Sequence, residues 1–316
     1  NYLKAKEYYE LSAKRNNSTA LLYLGDLYEK GLGVKKDYIK AKEYYEKSAR
    51  LNHPSAPCKI GRLYFYGLGF RKDYSIAKEY FELSAKNDDS DALYYLGYIY
   101  ENGLDVKQDY LKAKEYYELS AKQNNPDAIL HLGKLFEEGK GVERNYLKAK
   151  EYFELSAHLG NSNAINTLGC LYFLGKGVTQ NYLKAKEYFE LSGQLGNPQA
   201  YCNLGRMYEN GLGVGKNYIK AKEYYELGAQ SNDSDSLLNL GCLYYKGNGV
   251  NQNYMKAREY FELAAQFDNS IALCNLGKIY ECGKGVKINY VKAKEYYQLS
   301  ASLNNSDALL NLGILY

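Results

Sequence analysis

Cysteine and histidine are the residues of this chain that could bind a metal ion or act as a nucleophile and its base. The sequence contains no C-x-x-C motif, most cysteines are 32 to 112 residues apart, and His53, His131 and His158 are isolated from one another. Because metal binding and nucleophilic catalysis both need such side chains to converge, we expect no metal, no catalytic residue and no cofactor. We interpret the cysteines as small, reduced packing residues, with redox-sensitive thiols and metal ligands as the alternatives. They are Cys58, Cys170, Cys202, Cys242, Cys274 and Cys282.

The carboxylates and a recurrent G-x-G-V sequence could also indicate an active site. The carboxylates stand beside lysines in a repeated K-A-K-E pattern, which is typical of a solvated helix face. A phosphate-binding loop of the dinucleotide type follows a strand and carries a third glycine, whereas each G-x-G-V here follows a helical pattern and lacks that glycine. Turns and solvent-exposed helix faces therefore account for both features.

Composition argues against several broad classes of protein. An apolar fraction of 46% and a charged fraction of 25% are typical of a folded chain rather than a disordered one. The net charge of +4 is spread along the sequence without a basic block, so nucleic-acid binding is not expected. No apolar run reaches the roughly 18–20 residues that a membrane span needs, so we expect no membrane insertion.

The elements that position these residues are internal repeats. A pair of residues, Asn or Asp followed by Tyr, recurs at intervals of 36 residues without insertion, and the last unit is 28 residues long. Such a period predicts stacked supersecondary units that form one solenoid. We therefore expect a single array of about nine units over residues 1–316. The pairs begin at Asn1, Asp37, Asp73, Asp109, Asn145, Asn181, Asn217, Asn253 and Asn289.

Each unit contains two helical patterns and no strand signal. The first runs from about Tyr2 to Lys14 after an N-cap at Asn1, with Glu10 and Lys14 spaced for an ion pair. The second begins after Asn17, and a glycine in the left-handed conformation ends it. The fold class predicted from this pattern is all-α, built from antiparallel helix pairs. The predicted start of the second helix is supported by prolines at its first helical position in three units: Pro54, Pro126 and Pro198.

Two departures from the repeat predict local differences. Asp105 replaces a turn glycine that the other complete units keep, so we expect a positive φ there. Pro57 replaces a core leucine about four residues into its predicted helix. A proline at that depth removes a backbone hydrogen bond, which predicts that the second unit is the least stable.

The repeat resembles the Sel-1-like repeat, a relative of the tetratricopeptide repeat, over essentially the whole chain. The resemblance implies a right-handed α-solenoid in which the Leu-Gly helix lines the concave wall, and a role as a scaffold or adaptor that assembles other proteins. In a cysteine-rich branch of the family, a disulfide joins the two helices of each unit, and that branch is associated with β-lactam binding and hydrolysis. Here every cysteine lies on the Leu-Gly helix, so that disulfide cannot form. The residues of the first unit that carry the resemblance are Ala20, Leu24, Gly25, Tyr28, Gly31, Gly33 and Val34, followed by Asp37, Lys40, Ala41, Tyr44, Tyr45, Ser48 and Ala49.

Five places on the Leu-Gly helix change from unit to unit while their neighbours stay constant, as at Thr19, Leu22, Asp26, Glu29 and Lys30. Their spacing forms one stripe away from the predicted core. We predict that this variable stripe binds a partner, because aromatic residues mixed with Arg dominate protein interfaces. The alternative is a solvent-exposed surface whose residues vary without a function. The candidate residues are Arg62, Phe65, Tyr66, Tyr94, Tyr98, Lys134, Glu137, Phe173, Arg206, Tyr245 and Lys278.

The leading prediction of function is a non-enzymatic scaffold that holds a protein or peptide in the concave groove. A structural protein lying along a periodic filament through its repetitive convex face is the alternative. The resemblance also leaves open a β-lactamase-like activity, or an interaction array attached to a kinase domain. We expect a cytoplasmic location, with the endoplasmic-reticulum lumen or secretion as alternatives. The uncapped helices at both ends predict a fragment of a longer protein and end-to-end contacts.

Overall fold

Eighteen α-helices and no β-strand make up the computed structural model, which describes all residues, 1–316. The helices that begin at the tyrosine of each Asn/Asp-Tyr pair are here called A helices, and the Leu-Gly helices are called B helices. The A helices are α1 (Tyr2–Ala13), α3 (Tyr38–Arg50), α5 (Tyr74–Ala85), α7 (Tyr110–Ala121), α9 (Tyr146–His158), α11 (Tyr182–Gln194), α13 (Tyr218–Ala229), α15 (Tyr254–Ala265) and α17 (Tyr290–Ser302). The B helices are α2 (Ser18–Lys30), α4 (Ala56–Tyr66), α6 (Ser90–Asn102), α8 (Pro126–Glu138), α10 (Ser162–Leu174), α12 (Pro198–Asn210), α14 (Ser234–Lys246), α16 (Ser270–Cys282) and α18 (Ser306–Leu315).

The helices form two compact units, Asn1–Asn161 and Ser162–Tyr316. Within each, A helices pack against the adjoining B helices, as α7 does against α6 and α8 and α13 against α12 and α14. Neighbouring B helices also contact one another, as α6 and α8 do in the first unit and α12 and α14 in the second. The predicted all-α solenoid of helix pairs is confirmed for both units.

Side-chain caps and left-handed turns end the helices where the sequence predicted. Asn1 accepts a hydrogen bond from the backbone N–H of Lys4, and Asn17 accepts one from Ala20. Gly31 follows α2 with φ 72°, and Asp105 has φ 53° in its turn. Both the capping scheme and the positive φ of Asp105 are confirmed.

Small residues allow the A and B helices to approach closely. A Cβ atom on Gly25 would lie 2.3 Å from the ring of Tyr45, so this glycine makes room for the buried aromatic residue of the next A helix. Beside it, the Ser48 hydroxyl donates to the Ser18 carbonyl oxygen at 2.7 Å. The same bond ties five other A helices to the start of the preceding B helix or to the turn just before it. The serines that donate it are Ser84, Ser120, Ser156, Ser192 and Ser300.

Two predictions about prolines are wrong. α4 begins only at Ala56, so Pro54 lies in the preceding turn rather than at a first helical position. For the same reason Pro57 is the second residue of its helix, where no intrahelical N–H bond exists to be lost. Pro126 and Pro198 do begin their helices.

The ion pairs on the A helices differ from the predicted register. Lys6 pairs with Glu10 at 2.6 Å, rather than Glu10 with Lys14. The same pairing recurs along the chain, for example between Lys114 and Glu118 at 2.7 Å. A lysine at this place reaches forward one turn, and its stem covers part of the half-buried surface.

Candidate partner-binding surface

One of the five places in the variable stripe belongs to the core. Leu22 packs against Ala56 and Ile60 of the following helix pair, and Cys58 packs against Ala92 and Leu96 in the same way. This place therefore faces the next B helix rather than solvent, and the prediction that it is part of an exposed stripe is wrong. Its buried members are Leu22, Cys58, Leu130, Asn166, Cys202, Leu238 and Cys274.

Phe65 is a second correction, because it is only 7% exposed. Its ring packs edge-on against those of Tyr74 and Phe81, with centroids 5.3 and 6.1 Å away. Phe65 thus belongs to the core of the first compact unit and supports the aromatic residues above it instead of contacting a partner.

Four tyrosines and a histidine on α4, α6 and α8 form a contiguous cluster, here called the aromatic patch: Tyr66, Tyr94, Tyr95, Tyr98 and His131. Tyr66 is 49% exposed, and its hydroxyl is hydrogen-bonded to that of Tyr95 at 3.1 Å. The rings of Tyr94 and Tyr98 are 6.3 Å apart, and each lies 5.6 Å from the imidazole of His131. The structure therefore brings together three of the predicted aromatic residues and adds two that were missed.

The inner edge of the aromatic patch rests on a hydrogen-bonded network. The Glu101 carboxylate accepts a hydrogen bond from the Tyr117 hydroxyl and contacts His131 Nδ1 at 2.7 Å. Burial alone would raise the pKa of Glu101, but the bonds to His131 and Tyr117 lower it below its ordinary value. Burial and the adjacent Glu101 charge raise the pKa of Tyr117, so the pair is held as a carboxylate and a neutral phenol.

Tyr94 is a half-buried member of the aromatic patch. Its ring lies 6.0 Å from that of Tyr117, and it packs on the core cluster that contains Leu132. Burial raises its pKa well above the ordinary range of tyrosine. Tyr94 therefore acts mainly as a support, while Tyr66 and Tyr98 present the accessible surface.

Two cations flank the aromatic patch, Arg62 on α4 and Lys134 on α8. Arg62 Nη2 lies 3.6 Å from a Glu29 oxygen, and the Arg62 Nε atom is buried without a hydrogen-bond partner. Lys134 is half-buried on α8, as is Glu137 one turn later. The arrangement offers an aromatic surface between an arginine and a lysine.

The predicted residues of the second compact unit do not form an equivalent cluster. Phe173 packs against Tyr182, with ring centroids 5.3 Å apart, and Tyr245 packs against Tyr254 at the same distance. Arg206 lies 3.6 Å from Asp235, while Lys278 is half-buried. Phe173, Arg206 and Tyr245 therefore make separate local contacts.

The variable glutamates have a structural role that the sequence pattern did not reveal. Glu209 accepts a hydrogen bond from the buried Tyr225 hydroxyl at 2.7 Å, and Glu281 accepts one from Tyr297 at 2.6 Å. Where the buried residue is phenylalanine, the facing place can be aromatic, as Phe173 is opposite Phe189. Part of the variation in the stripe therefore follows the choice between Tyr and Phe on the next A helix.

No group of three or more His, Cys, Asp or Glu side chains is placed to hold a metal ion. No disulfide joins any of the six cysteines; Cys58, Cys202 and Cys274 are buried, and Cys282 is exposed. Burial raises the pKa of Cys202 to about 12, which disfavours the thiolate. A bilayer-crossing helix is absent, since none is both long and apolar enough.

The Sel1 repeat family model matches nine consecutive segments, which together include nearly every residue: 1–17, 18–53, 54–89, 90–125, 126–161, 162–197, 198–233, 234–266 and 270–305. The chain belongs to the Sel1 repeat family. The later segments begin at or just before the starts of the B helices, so each of these matched repeats is a B helix followed by an A helix; the first segment, 1–17, contains an A helix alone.

Solved structures of other repeat proteins resemble this chain. The c5321 protein, a protective antigen of uropathogenic Escherichia coli with an SLR fold, is 28% identical with a TM-score of 0.62, and the match covers 98% of this chain and 67% of that one. A Sel1 repeat protein from Oxalobacter formigenes is 28% identical with a TM-score of 0.68, over 78% and 99% of the two chains. Yeast Tom70 shares the fold at 17% identity and a TM-score of 0.56, over 88% and 60%.

No curated protein sequence matches the chain. Sel1 and tetratricopeptide-like repeat proteins typically mediate protein–protein interactions and are typically non-enzymatic. Protein partners are therefore the class of ligand that the family suggests.

Proposed function

We propose that the chain is a non-enzymatic scaffold whose aromatic patch binds a segment of a partner protein. The observation that carries the proposal is the clustering of tyrosines that the repeat does not require. Thirty-one of the 38 tyrosines occupy four framework places of the repeat. Four of the remaining seven are the tyrosines of the aromatic patch: Tyr66, Tyr94, Tyr95 and Tyr98.

The chemistry of the patch favours an apolar or aromatic side chain followed or preceded by an acidic residue. Tyr66 and Tyr98 provide ring faces for the anchor, and aromatic surfaces of this kind are typical of interface hot spots. Arg62 and Lys134 supply the cations, and a guanidinium or ammonium group suits a carboxylate oxygen. The carboxylates of Glu29 and Glu101 also lie beside the aromatic patch, so a uniformly anionic ligand is disfavoured.

Selection from a library of random short peptides, displayed on phage and panned on the full chain, tests the proposal. Enriched sequences should combine an aromatic or aliphatic anchor with a nearby Asp or Glu. The double variant Tyr66→Ala, Tyr98→Ala should bind the selected peptide about 30-fold more weakly, since loss of a hot-spot aromatic costs about 2 kcal/mol or more.

The matched control is Tyr290→Ala, which removes a tyrosine that is 59% exposed in the second compact unit and should leave peptide affinity unchanged. Calorimetry or thermal melting of each variant separates lost binding from lost folding. Full affinity in a folded Tyr66→Ala, Tyr98→Ala variant would exclude this patch as the binding surface.

We further infer a reducing compartment such as the cytoplasm. Three of the six cysteines are buried and unpaired on B helices, where their role is packing. The thiol titration described in the Discussion tests this inference separately from the binding proposal.

A further inference from the structure

A row of asparagines runs along four consecutive B helices of the second compact unit. In α12, α14, α16 and α18 the residue just before the Leu-Gly pair is asparagine, and each of the four side chains is half-buried. This set is here called the asparagine row: Asn203, Asn239, Asn275 and Asn311. Folding of the helix pair does not require an amide at this place, because the five earlier B helices carry other residues there: Tyr23, Lys59, Tyr95, His131 and Thr167.

Contacts inside the chain do not explain why the place stays asparagine. Asn239 Nδ2 donates to Cys202 Sγ on the preceding B helix at 3.4 Å, and sulfur is a weak acceptor. The residue at the corresponding place opposite Asn275 is Leu238, whose side chain accepts no hydrogen bond. The asparagine is thus kept whatever residue faces it. The four facing residues, each 37 places earlier, are Asn166, Cys202, Leu238 and Cys274.

Duplication of one ancestral unit does not explain the row either, because the residues on both sides of it differ. Residues three or four places away lie on the same face of a helix. Three places later the B helices carry Arg206, Cys242, Lys278 and Ile314. Four places earlier they carry Gln199, Asp235, Ile271 and Asp307. A place that is kept between two changing places indicates a task that the four asparagines share.

Each asparagine keeps polar atoms that the chain does not use. The bonds that these side chains make are donated by Nδ2, and no group of the chain donates to any of the four Oδ1 atoms. None of these oxygens is among the buried polar atoms without a partner, so solvent or a ligand reaches them. Asn239, Asn275 and Asn311 also keep at least one N–H of their Nδ2 groups. An acceptor and a donor side by side are the complement of a peptide group.

The spacing of the row follows from the packing of the B helices. α12 contacts α14, and Leu238 of α14 lies in one core cluster with Leu276 of α16. Asn311 of α18 bonds to Cys274 of α16 at 3.5 Å. Packed helices are about 8–10 Å apart, so the amides recur at about that distance. A polyproline II segment advances about 9 Å in three residues and then presents its backbone to the same side again.

We propose that the asparagine row binds an extended segment of a partner protein in the polyproline II conformation, with one asparagine for every third residue. The Oδ1 atom accepts the backbone N–H of that residue, and the free Nδ2 donor bonds to a backbone carbonyl oxygen. Both groups are available, because a polyproline II backbone makes no internal hydrogen bonds. Four asparagines hold about ten residues in this way. The variable places beside the row then meet the side chains of the segment.

Three other occupants match the row less well. A partner α-helix uses its backbone N–H and C=O groups internally. A β-strand turns successive residues to opposite sides, so groups three residues apart point away from each other. A second copy of residues 1–316 offers only helices and the short turns between them. An extended segment of another protein remains, and it is bound apart from the aromatic patch of α4, α6 and α8.

The test begins with a phage library in which the unit X-Pro-Pro, with X any residue, is repeated four times and panned on the full chain. Only the X residues carry an N–H, so all donors lie on one side of the polyproline II helix. The selected peptide is compared by fluorescence anisotropy with a version that has one more proline after the second unit. The original peptide should bind at least tenfold more tightly, because the insertion rotates half of the donors away from the row.

Leucine substitutions test the asparagines themselves. Asn275→Leu should weaken binding of the selected peptide about fivefold, and Asn239→Leu together with Asn275→Leu at least tenfold. Asn275 makes no internal side-chain bond, so the melting temperature of its variant should be unchanged. Asn251→Leu, which removes an exposed asparagine from a turn, is the matched control and should change affinity by less than twofold.

The double variant Tyr66→Ala, Tyr98→Ala separates this proposal from that for the aromatic patch, and it should bind the selected peptide as the original chain does. Loss of affinity in that variant would assign the peptide to the aromatic patch and overturn the proposal. A library without enriched sequences, or equal binding of the peptide with the inserted proline, would contradict the three-residue register. Full affinity in a folded Asn239→Leu, Asn275→Leu variant would exclude the asparagine row as a binding surface.

Discussion

Buried tyrosines need an acceptor for their hydroxyl groups, and four A helices meet this need with a carboxylate from the preceding B helix. The single Tyr45 hydroxyl proton can be donated to Glu29 or to Asp26, the latter at 2.7 Å. Tyr225 donates to Glu209. Removing one partner would leave a buried polar group unsatisfied, at a cost of about 1–3 kcal/mol. The buried tyrosines of the A helices and the carboxylates of the variable stripe therefore depend on one another for stability.

These tyrosines predict how stability depends on alkaline pH. Burial raises the pKa of Tyr225 and of Tyr297 above the value of about 10 in unfolded chains. Above pH 10 the unfolded chain loses protons that the folded chain keeps, so stability falls as pH rises, by at most about 1.4 kcal/mol per pH unit for each tyrosine. Tyr225→Phe should therefore give a shallower fall in melting temperature between pH 9 and 11. Tyr290→Phe, at an exposed site, should follow the original chain, and parallel curves for Tyr225→Phe would contradict the argument.

Gly228 and Ser236 form a second coupled pair. Gly228 stands where six other A helices have the buried serine that donates to a B-helix carbonyl, and a Cβ there would lie 2.1 Å from Ser236 Oγ. Gly228→Ser alone should therefore destabilise by about 1–3 kcal/mol through overpacking. With Ser236→Ala as well, the new hydroxyl can bond the Pro198 carbonyl and recover about 1 kcal/mol. Urea unfolding of both single variants and the double variant measures the coupling, and additive effects would rule it out.

At the scale of the element, the helix pair depends on a glycine in the middle of each B helix. Helix propensity disfavours glycine by about 1 kcal/mol relative to alanine. The place stays glycine because any Cβ would enter the aromatic ring of the next A helix. Packing between two elements thus overrides the preference of one of them.

Gly169→Ala tests this conflict between propensity and packing. Its Cβ would lie 2.5 Å from Phe189 Cε1, so we expect a loss of about 1–3 kcal/mol in the free energy of unfolding. Gly215→Ala is the matched control, because nothing lies within 4 Å of its Cβ and its φ is not in the left-handed region. That change should be neutral or stabilising by up to about 1 kcal/mol. Equal effects on the urea midpoint would show that the close approach is not the reason for the glycine.

At the scale of the whole molecule, cysteines distributed through both compact units report on the redox state of the chain. Cys282 is exposed, whereas Cys58, Cys202 and Cys274 are buried. Access and thiolate formation both limit the reaction of a thiol with an alkylating reagent. The buried thiols should therefore be protected until the fold opens.

Titration with a thiol reagent should find one fast-reacting cysteine in the native chain, Cys282, and six after denaturation without reductant. Cys282→Ser should abolish the fast phase and leave five. Fewer than six thiols in the denatured original chain would reveal a disulfide and place the protein in an oxidising compartment, contrary to the cytoplasmic proposal.

The sequence by itself determined the architecture, because the 36-residue period, the caps and the turn glycines are local signals. Asp105 illustrates this: the turn geometry alone requires a positive φ, and φ is 53°. The burial of Leu22 and Phe65 and the partners of Tyr66 depended on the tertiary structure, since they are set by the neighbouring helix pair. The start of α4 at Ala56, which accommodates Pro57, also emerged only in the fold. Period-based reasoning identifies which side of a helix faces its own partner, but contacts between successive pairs depend on how the pairs stack.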